Sequence, residues 1–222
     1  MIEIAIDGTA ASGKGTLAKK LASKYGFPHL DTGLLYRKVA FELINQKKNN
    51  LPNLEEISCK IAEEINYFKL ESIKLRSEDT ARLASSIASF PKLRKILNQK
   101  QIEFANKNKE KFGGCILDGR DIGTVILPRA NFKFFINASV EVRAKRRLLE
   151  KNISFLHEKD EKCMLQSLID DIIKRDNIDS NRLASPLVPA KDAHIIDTSL
   201  INPDELLSIV CNIIEGNQII SN

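Results

Sequence analysis

The chain has 222 residues, 43% hydrophobic and 28% charged, which is ordinary globular composition and long enough for one sizeable core. No apolar run approaches the roughly 20 residues of a membrane span, and Met1–Asp7 lacks the basic opening and long apolar stretch of a signal peptide, so a cytoplasmic location is expected. A net charge of +5 admits nucleic acid as a partner, but the arginines are scattered, several beside aspartates, and no basic-aromatic stretch stands out. A small polyanion explains that excess equally well, and neither nucleic acid nor membrane is expected as a partner.

The elements alternate. Ile2, Ile4 and Ile6 begin a buried strand, Gly8–Gly13 is a small-residue loop, and Thr16–Lys24 is helical until Gly26 stops it. Phe27–Leu30 is a second short strand. Gly33–Asn45 is a helix with Leu35, Val39 and Leu43 four apart, and Leu54–Ile65 is another. Asn66–Arg76 suggests one or two short strands, followed by a helix over Glu78–Ser89. Pro91 opens a long helix towards Phe112, at a position where a missing N–H costs nothing. Cys115–Asp118 and Phe132–Ile136 are strands, and Val140–Glu150 is a basic helix. Lys151–Asp160 is polar and expected to be mobile, before a helix over Lys162–Arg175. Ala193–Asp197 is the last strand, and Pro203 opens a final helix to about Glu215. Short apolar strands alternating with helices predict an α/β parallel sheet.

The four cysteines, Cys59, Cys115, Cys163 and Cys211, are far apart, with no metal-ligand or redox spacing. They are expected as free, mostly buried thiols, and no protein metal site is expected.

Gly8-Thr9-Ala10-Ala11-Ser12-Gly13-Lys14-Gly15-Thr16 lies between the first strand and the first helix. That is the context of a P-loop, in which backbone N–H groups and a helix N-terminus cradle phosphates. Lys14 would reach the β- and γ-phosphates, and Thr16 the triphosphate or its Mg²⁺. The strict motif has Ser or Thr directly after the lysine; here Gly15 intervenes, and Gly-Lys-Gly-Thr is the form that nucleoside monophosphate kinases carry.

A P-loop alone does not name a reaction. Asp31-Thr32-Gly33-Leu34-Leu35-Tyr36-Arg37 follows the second strand, where Thr32 and Arg37 could hold a phosphate, or serve as a helix cap and a surface arginine. Asp118-Gly119-Arg120-Asp121 puts a guanidinium and a carboxylate at the carboxyl edge of the sheet, where α/β proteins bind ligands, or forms a capped turn. Arg175–Arg182 gathers two arginines with Asp176 and Asp179 at a helix end, which by itself also suits a solvated surface.

Together these segments resemble bacterial cytidylate kinases of the nucleoside monophosphate kinase superfamily. The matching stretches are Ile4–Thr16, Leu30–Arg37, Ser85–Arg94, Leu117–Val125, Asn137–Arg147 and Arg175–Pro189. The most specific are Asp-Gly-Arg-Asp-Ile-Gly-Thr and Ser-Pro-Leu-Val-Pro. The resemblance implies a P-loop core of five parallel strands flanked by helices (about 1–45, 91–147 and 166–222), a monophosphate-binding insertion (about 46–90) and a short lid (about 148–165). It implies ATP and Mg²⁺ as donor and cofactor, and CMP or dCMP as acceptor. Ser85, Arg94 and Asp121 would read the cytosine. Thr32, Arg37, Arg120 and Arg182 would hold the acceptor phosphate. Arg175 and Asp179 would stand near the sugar and the reacting phosphates, and Arg143 and Arg147 would cover the donor. Lys14, Arg120, Arg175 and Arg182 are thus the expected catalytic groups.

Two departures from the family pattern stand out. Asn66–Ile73 is about one hairpin shorter than in relatives, and Ile178 occupies a place where some relatives carry arginine. The rivals are a P-loop kinase for UMP or for a hydroxyl metabolite, with Asp121 as base, and a non-catalytic nucleotide sensor. The many arginines favour a phosphate acceptor. A monomer is expected, since no long exposed apolar stripe is evident.

Overall fold

Ile4 and Ile6 point to one face of the first strand and Ala5 to the other, and all three are fully buried, so this strand has no solvent face. A strand covered on both sides is the signature of a parallel sheet with helices on each face. The computed structural model describes residues 1–66, 75, 77–151, 153 and 157–219. Its strands are β1 (Ile2–Gly8), β2 (His29–Asp31), β3 (Gly114–Gly119), β4 (Phe132–Asn137) and β5 (His194–Asp197). They form one sheet, all pairs parallel, in the order β2-β3-β1-β4-β5. The helices are α1 (Lys14–Tyr25), α2 (Gly33–Asn45), α3 (Leu54–Glu64), α4 (Glu78–Ile87), α5 (Pro91–Phe112), α6 (Val140–Glu150), α7 (Glu158–Asn181) and α8 (Pro203–Ile219).

Two cores result. On one face, Ala5, Cys115 and Leu117 pack with Leu35, Val39 and Leu43 of α2 and Leu93 and Leu97 of α5. On the other, Ile4, Ile6, Ile116 and Phe134 pack with Leu17 and Leu21 of α1 and Val210 and Ile214 of α8. A smaller cluster joins α6 to α7 through Ala144, Leu168 and Ile172. The strand order reverses around β1, with β3 on one side and β4 on the other. Open α/β sheets bind ligands at such a switch, beyond the carboxyl ends of the strands.

Several boundaries differ from the sequence reading. The helix expected over Lys162–Arg175 runs from Glu158 to Asn181, so Glu158–Asp160, taken as polar loop, are its first turn, and their acidic side chains suit a helix N-terminus. Arg175, Asp176 and Asp179 are therefore helical, and Arg182 is the C-cap. Leu127 N–H bonds Ile122 O and Ile126 N–H bonds Asp121 O, a π-helical turn over Ile122–Ile126 that the reading did not foresee. The strands expected over Asn66–Arg76 lie almost wholly outside the described residues. Cys115 and Cys211 are buried as expected, but Cys59 is only half-buried and Cys163 is exposed; all four are free thiols. β5 is an edge strand and mostly exposed, not apolar on both sides. Among the described residues, no helix is long and apolar enough to cross a membrane.

Candidate active site

At the end of β1 the chain turns where a side chain could not follow. Gly8 has φ +152°, and a Cβ there would stand 2.0 Å from Ile136 O on the neighbouring strand. Gly13 caps α1 in the left-handed region at φ +94°, and Ala11 is also left-handed at +58°. The loop between them is held from several sides. Ser12 Oγ donates to Thr9 O at 3.0 Å, and Thr9 Oγ1 donates to Asn137 Oδ1 at 2.9 Å. Thr198, just after β5, brings its Oγ1 to 2.9 Å from Ser12 O, while its N–H donates to Asn137 O at 2.8 Å. Arg146 donates through Nη1 to Ser12 O at 3.3 Å and through Nη2 to Thr198 O at 2.6 Å.

This loop opens onto a cleft of about 650 Å³ at the carboxyl edge of the sheet, within the usual size range of ligand pockets. Ala10, Ala11, Ser12, Gly13, Lys14, Gly15, Thr16 and Arg147 line it, while Gly8 and Thr9 stand behind the lining. All nine residues expected on the acceptor side, Thr32, Arg37, Ser85, Arg94, Arg120, Asp121, Arg175, Asp179 and Arg182, line the same cleft. Thus segments from Ala10 to Arg182 converge because β1, β2, β3 and α7 all end at one edge.

Arg143 is elsewhere. It is buried behind the P-loop, where Nε donates to Ala138 O at 2.9 Å, Nη1 donates to Ala10 O at 3.3 Å and pairs with Asp176 Oδ2 at 2.7 Å. Its Nε and Nη1 donors are engaged with the protein, and it is not among the residues that line the cleft. The α6 guanidinium on the cleft side, besides Arg147, is that of Arg146. Arg146, not expected at the site, stands one helical turn from Arg143 in the same basic helix. Asp31, Tyr36 and Asp118 also line the cleft, within the segments that carry Thr32, Arg37 and Arg120. Thr198 gave no local signal, because its partner Ser12 is 186 positions away.

Electrostatics are concentrated around Arg94, Arg120, Arg175 and Arg182. Arg94 Nη2 meets Asp121 Oδ2 at 2.5 Å, and Arg182 Nη2 stands 3.9 Å from Asp121 Oδ1. Arg120 Nε donates to Asp179 Oδ2 at 2.8 Å, with Arg175 Nε 3.9 Å from the same oxygen. Burial works against charge on Arg120 and Asp179 alike. Their mutual attraction outweighs it, holding the arginine above and the carboxyl below their usual ranges. Burial, then the like charge of Arg120, pushes Arg175 down to about 9. Burial likewise, then Arg120, pushes the Lys14 ammonium down to about 8.

Five buried polar atoms of cleft residues have no hydrogen-bond partner: Tyr36 Oη, Ser85 Oγ, Arg94 Nε, Arg175 Nε and Arg182 Nη2. Buried polar atoms are rarely left unpaired, and five around one cavity suit a polar, anionic ligand. Among the described residues, no group of three or more His, Cys, Asp or Glu could hold a metal ion. Mg²⁺ does not need one, because it takes one or two protein oxygens beside phosphate oxygens and water. Thr16, exposed at the cleft mouth, fits that use.

Comparison with known proteins agrees with this geometry. The family model described as cytidylate kinase matches residues 4–216. A cytidylate kinase of Methylocella silvestris is 44% identical over 213 residues, 96% of this chain and 94% of that one. A cytidylate kinase of Xanthobacter autotrophicus is 43% identical over 215 residues, 97% and 98% of the two chains. A solved structure of an uncharacterized protein from Eubacterium ventriosum covers 97% of this chain and 99% of its own at TM-score 0.51 and 17% identity, a likeness of fold alone. A match over almost the whole length, at such identity, leaves no room for a borrowed P-loop on an unrelated chain: this protein belongs to the cytidylate kinase family.

Proposed function

We propose that the cleft transfers the γ-phosphoryl group of ATP to CMP or dCMP, giving ADP and CDP or dCDP, with the P-loop holding the donor and the arginine-rich half holding the acceptor. The observation that carries this reading is the set of buried polar atoms without a hydrogen bond at Ser85, Arg94, Arg175 and Arg182, residues that line the same cleft as Lys14.

The acceptor is a phosphate oxygen, mostly ionised at neutral pH because its second pKa is about 6, so no general base is required. The work is to bring two polyanions together and offset the charge of the transition state. Gly8–Thr16 cradle the donor phosphates. Lys14 contacts the transferring group, and Thr32, Arg37, Arg120 and Arg182 hold the acceptor phosphate. Arg175 and Asp179 stand by the sugar and the reacting phosphates, and Arg147 covers the donor. Thr16 would hold an Mg²⁺ brought in with ATP, which would supply further charge neutralisation to the phosphates. Ser85, Arg94 and Asp121 read the cytosine edge. The hydroxyl-acceptor alternative needs Asp121 to take a proton, and its Oδ2 is already engaged at 2.5 Å by Arg94 Nη2.

Water must be kept from the γ-phosphate, which requires closure. Segments of about 46–90 and 148–165 are the proposed insertion and lid. Glu78 and Lys151, which form an ion pair, join their described parts. We place the enzyme in the cytoplasm as a monomer acting on small nucleotides, with no nucleic-acid or membrane partner. ADP formation from ATP, measured against a panel of monophosphates with and without Mg²⁺, tests the reading. Turnover only with CMP, dCMP and Mg²⁺ supports it; ADP formation indifferent to the monophosphate, or none at all, overturns it.

A further inference from the structure

Asp7 ends the hydrophobic part of β1, one residue before the P-loop begins. It is 3% exposed and does not line the cleft. Both of its oxygens are aimed across to the next strand connection. Oδ1 accepts from Ile122 N–H at 2.8 Å, and Oδ2 accepts from Gly123 N–H at 2.7 Å. These two N–H groups open the π-helical turn, where the first donors of a helical segment have no partner within it. The residues just before them are Arg120 and Asp121. Arg120 reaches from there to Asp179 on α7, and Asp121 to Arg94 on α5. The backbone that Asp7 grips is thus the backbone that aims both side chains.

We infer that Asp7 is a positioning residue for the acceptor nucleotide: its carboxylate locks the Arg120–Asp121 turn to the strand that carries the P-loop, setting the acceptor in line with the donor. This rests on the roles given above to Arg120 and Asp121.

The chemistry makes the lock sensitive to protonation. Burial, against the pull of the two N–H bonds and the Arg120 charge and with the Asp121 charge beside it, leaves the Asp7 carboxyl raised to about 6. From β4, Lys133 packs against Gly123, with its ammonium turned to Pro128 O and the Asp192 carboxylate. An ionised Asp7 has two acceptor oxygens for two donors. A protonated one turns an O–H towards an N–H, and one bond is lost.

The test pairs the wild-type enzyme with Asp7→Asn, which keeps the shape and one acceptor. Folding is checked by thermal melting and circular dichroism, and KM is measured for CMP and for ATP at pH 7.5. The expected result is a rise of about tenfold in the KM for CMP, the usual scale for a lost charge-assisted hydrogen bond, with the KM for ATP changed much less. An unchanged KM for CMP in a folded variant, or equal rises for both substrates, overturns the inference and leaves the wild-type reaction standing. A wild-type enzyme without CMP-dependent ADP formation overturns the reaction, and this inference with it. A second measurement needs neither a variant nor substrate. In the ligand-free wild-type enzyme, the amide proton signals of Ile122 and Gly123 are followed by NMR from pH 5 to 8. They are expected to titrate together with a midpoint near 6; the absence of a shared titration overturns the inference even where Asp7→Asn does not fold.

Discussion

Arg94 and Asp121 form a buried ion pair inside the cleft, Nη2 to Oδ2 at 2.5 Å, with side chains 5% and 9% exposed. Arg94 comes from the first turn of α5, and its Nη1 also donates to Ala88 O at 3.1 Å, so the guanidinium is fixed from both ends. The pair leaves Arg94 Nε without a hydrogen bond and Asp121 Oδ1 3.9 Å from Arg182 Nη2. In the proposed reading, cytosine would offer an amino donor to the carboxylate and its N3 acceptor to the guanidinium. Uracil reverses both.

Asp121→Ala would strand two buried arginines and cost stability as well as recognition. Asp121→Asn is the cleaner test, since its amide can turn either an oxygen or an NH₂ to the base. Each mismatched buried group costs roughly 1–3 kcal/mol, so the wild-type preference for CMP over UMP should be about 100-fold or more, and the variant should narrow it strongly. The ratio of kcat/KM for the two substrates decides. A variant that loses both substrates equally would assign Asp121 to phosphate positioning.

Arg182→Lys should lower kcat/KM for CMP by about 100-fold despite keeping the charge, because one ammonium cannot place two parallel N–H bonds on a phosphate. Arg182 Nε is already committed to Ser185 O, while Nη1 and Nη2 stand 3.9 Å from Asp179 and Asp121 and Nη2 has no hydrogen bond. Wild-type kinetics in this variant would make Arg182 a helix-cap residue and nothing more.

The parts of the fold and site legible in the sequence were those written locally. Ile2, Ile4 and Ile6 announced a buried strand. Gly8 and Gly13 announced a turn with left-handed positions, and Arg120-Asp121 sat directly after an apolar run. Long-range partnerships were not legible. Arg143 and Arg146 are both arginines of one basic helix, and only the fold sends one behind the P-loop to Asp176 and the other to Ser12 and Thr198. The π-helical turn was equally hidden. Ile122–Ile126 has no unusual composition, and its first two N–H groups are satisfied by Asp7, 115 and 116 positions earlier.

Thr198→Val tests one of those hidden links. Valine matches threonine in shape but cannot bond Ser12 O, Asn137 O or the Arg146 guanidinium, all of which the hydroxyl now meets within 3.1 Å. The P-loop would lose a strut while the acceptor half kept all its contacts. The KM for ATP should rise several-fold and the KM for CMP should hold. Equal changes in both, or none, would remove Thr198 from the donor site.

Lys14 gives the sharpest dependence on pH. Desolvation in the cleft and the nearby Arg120 lower its pKa to about 8, against an ordinary 10.5. The sign follows for folding: between about 8 and 10.5 the folded form binds fewer protons than the unfolded one, so the contribution of Lys14 to stability rises with pH across that window. The sign for function is opposite, since the ligand-free enzyme loses its phosphate-binding charge as pH climbs through 8. Hence kcat/KM for ATP should be level between about pH 6.5 and 7.5, when the acceptor is saturating, and should fall above pH 8. ATP, a polyanion, favours the charged lysine and raises its pKa once bound, so kcat should fall later than kcat/KM. Lys14→Ala should lower turnover by roughly 100-fold or more and abolish the descending limb near pH 8. A folded Lys14→Ala variant with near-normal turnover, or one that keeps that limb unchanged, would show that the charge lost near pH 8 belongs to another group.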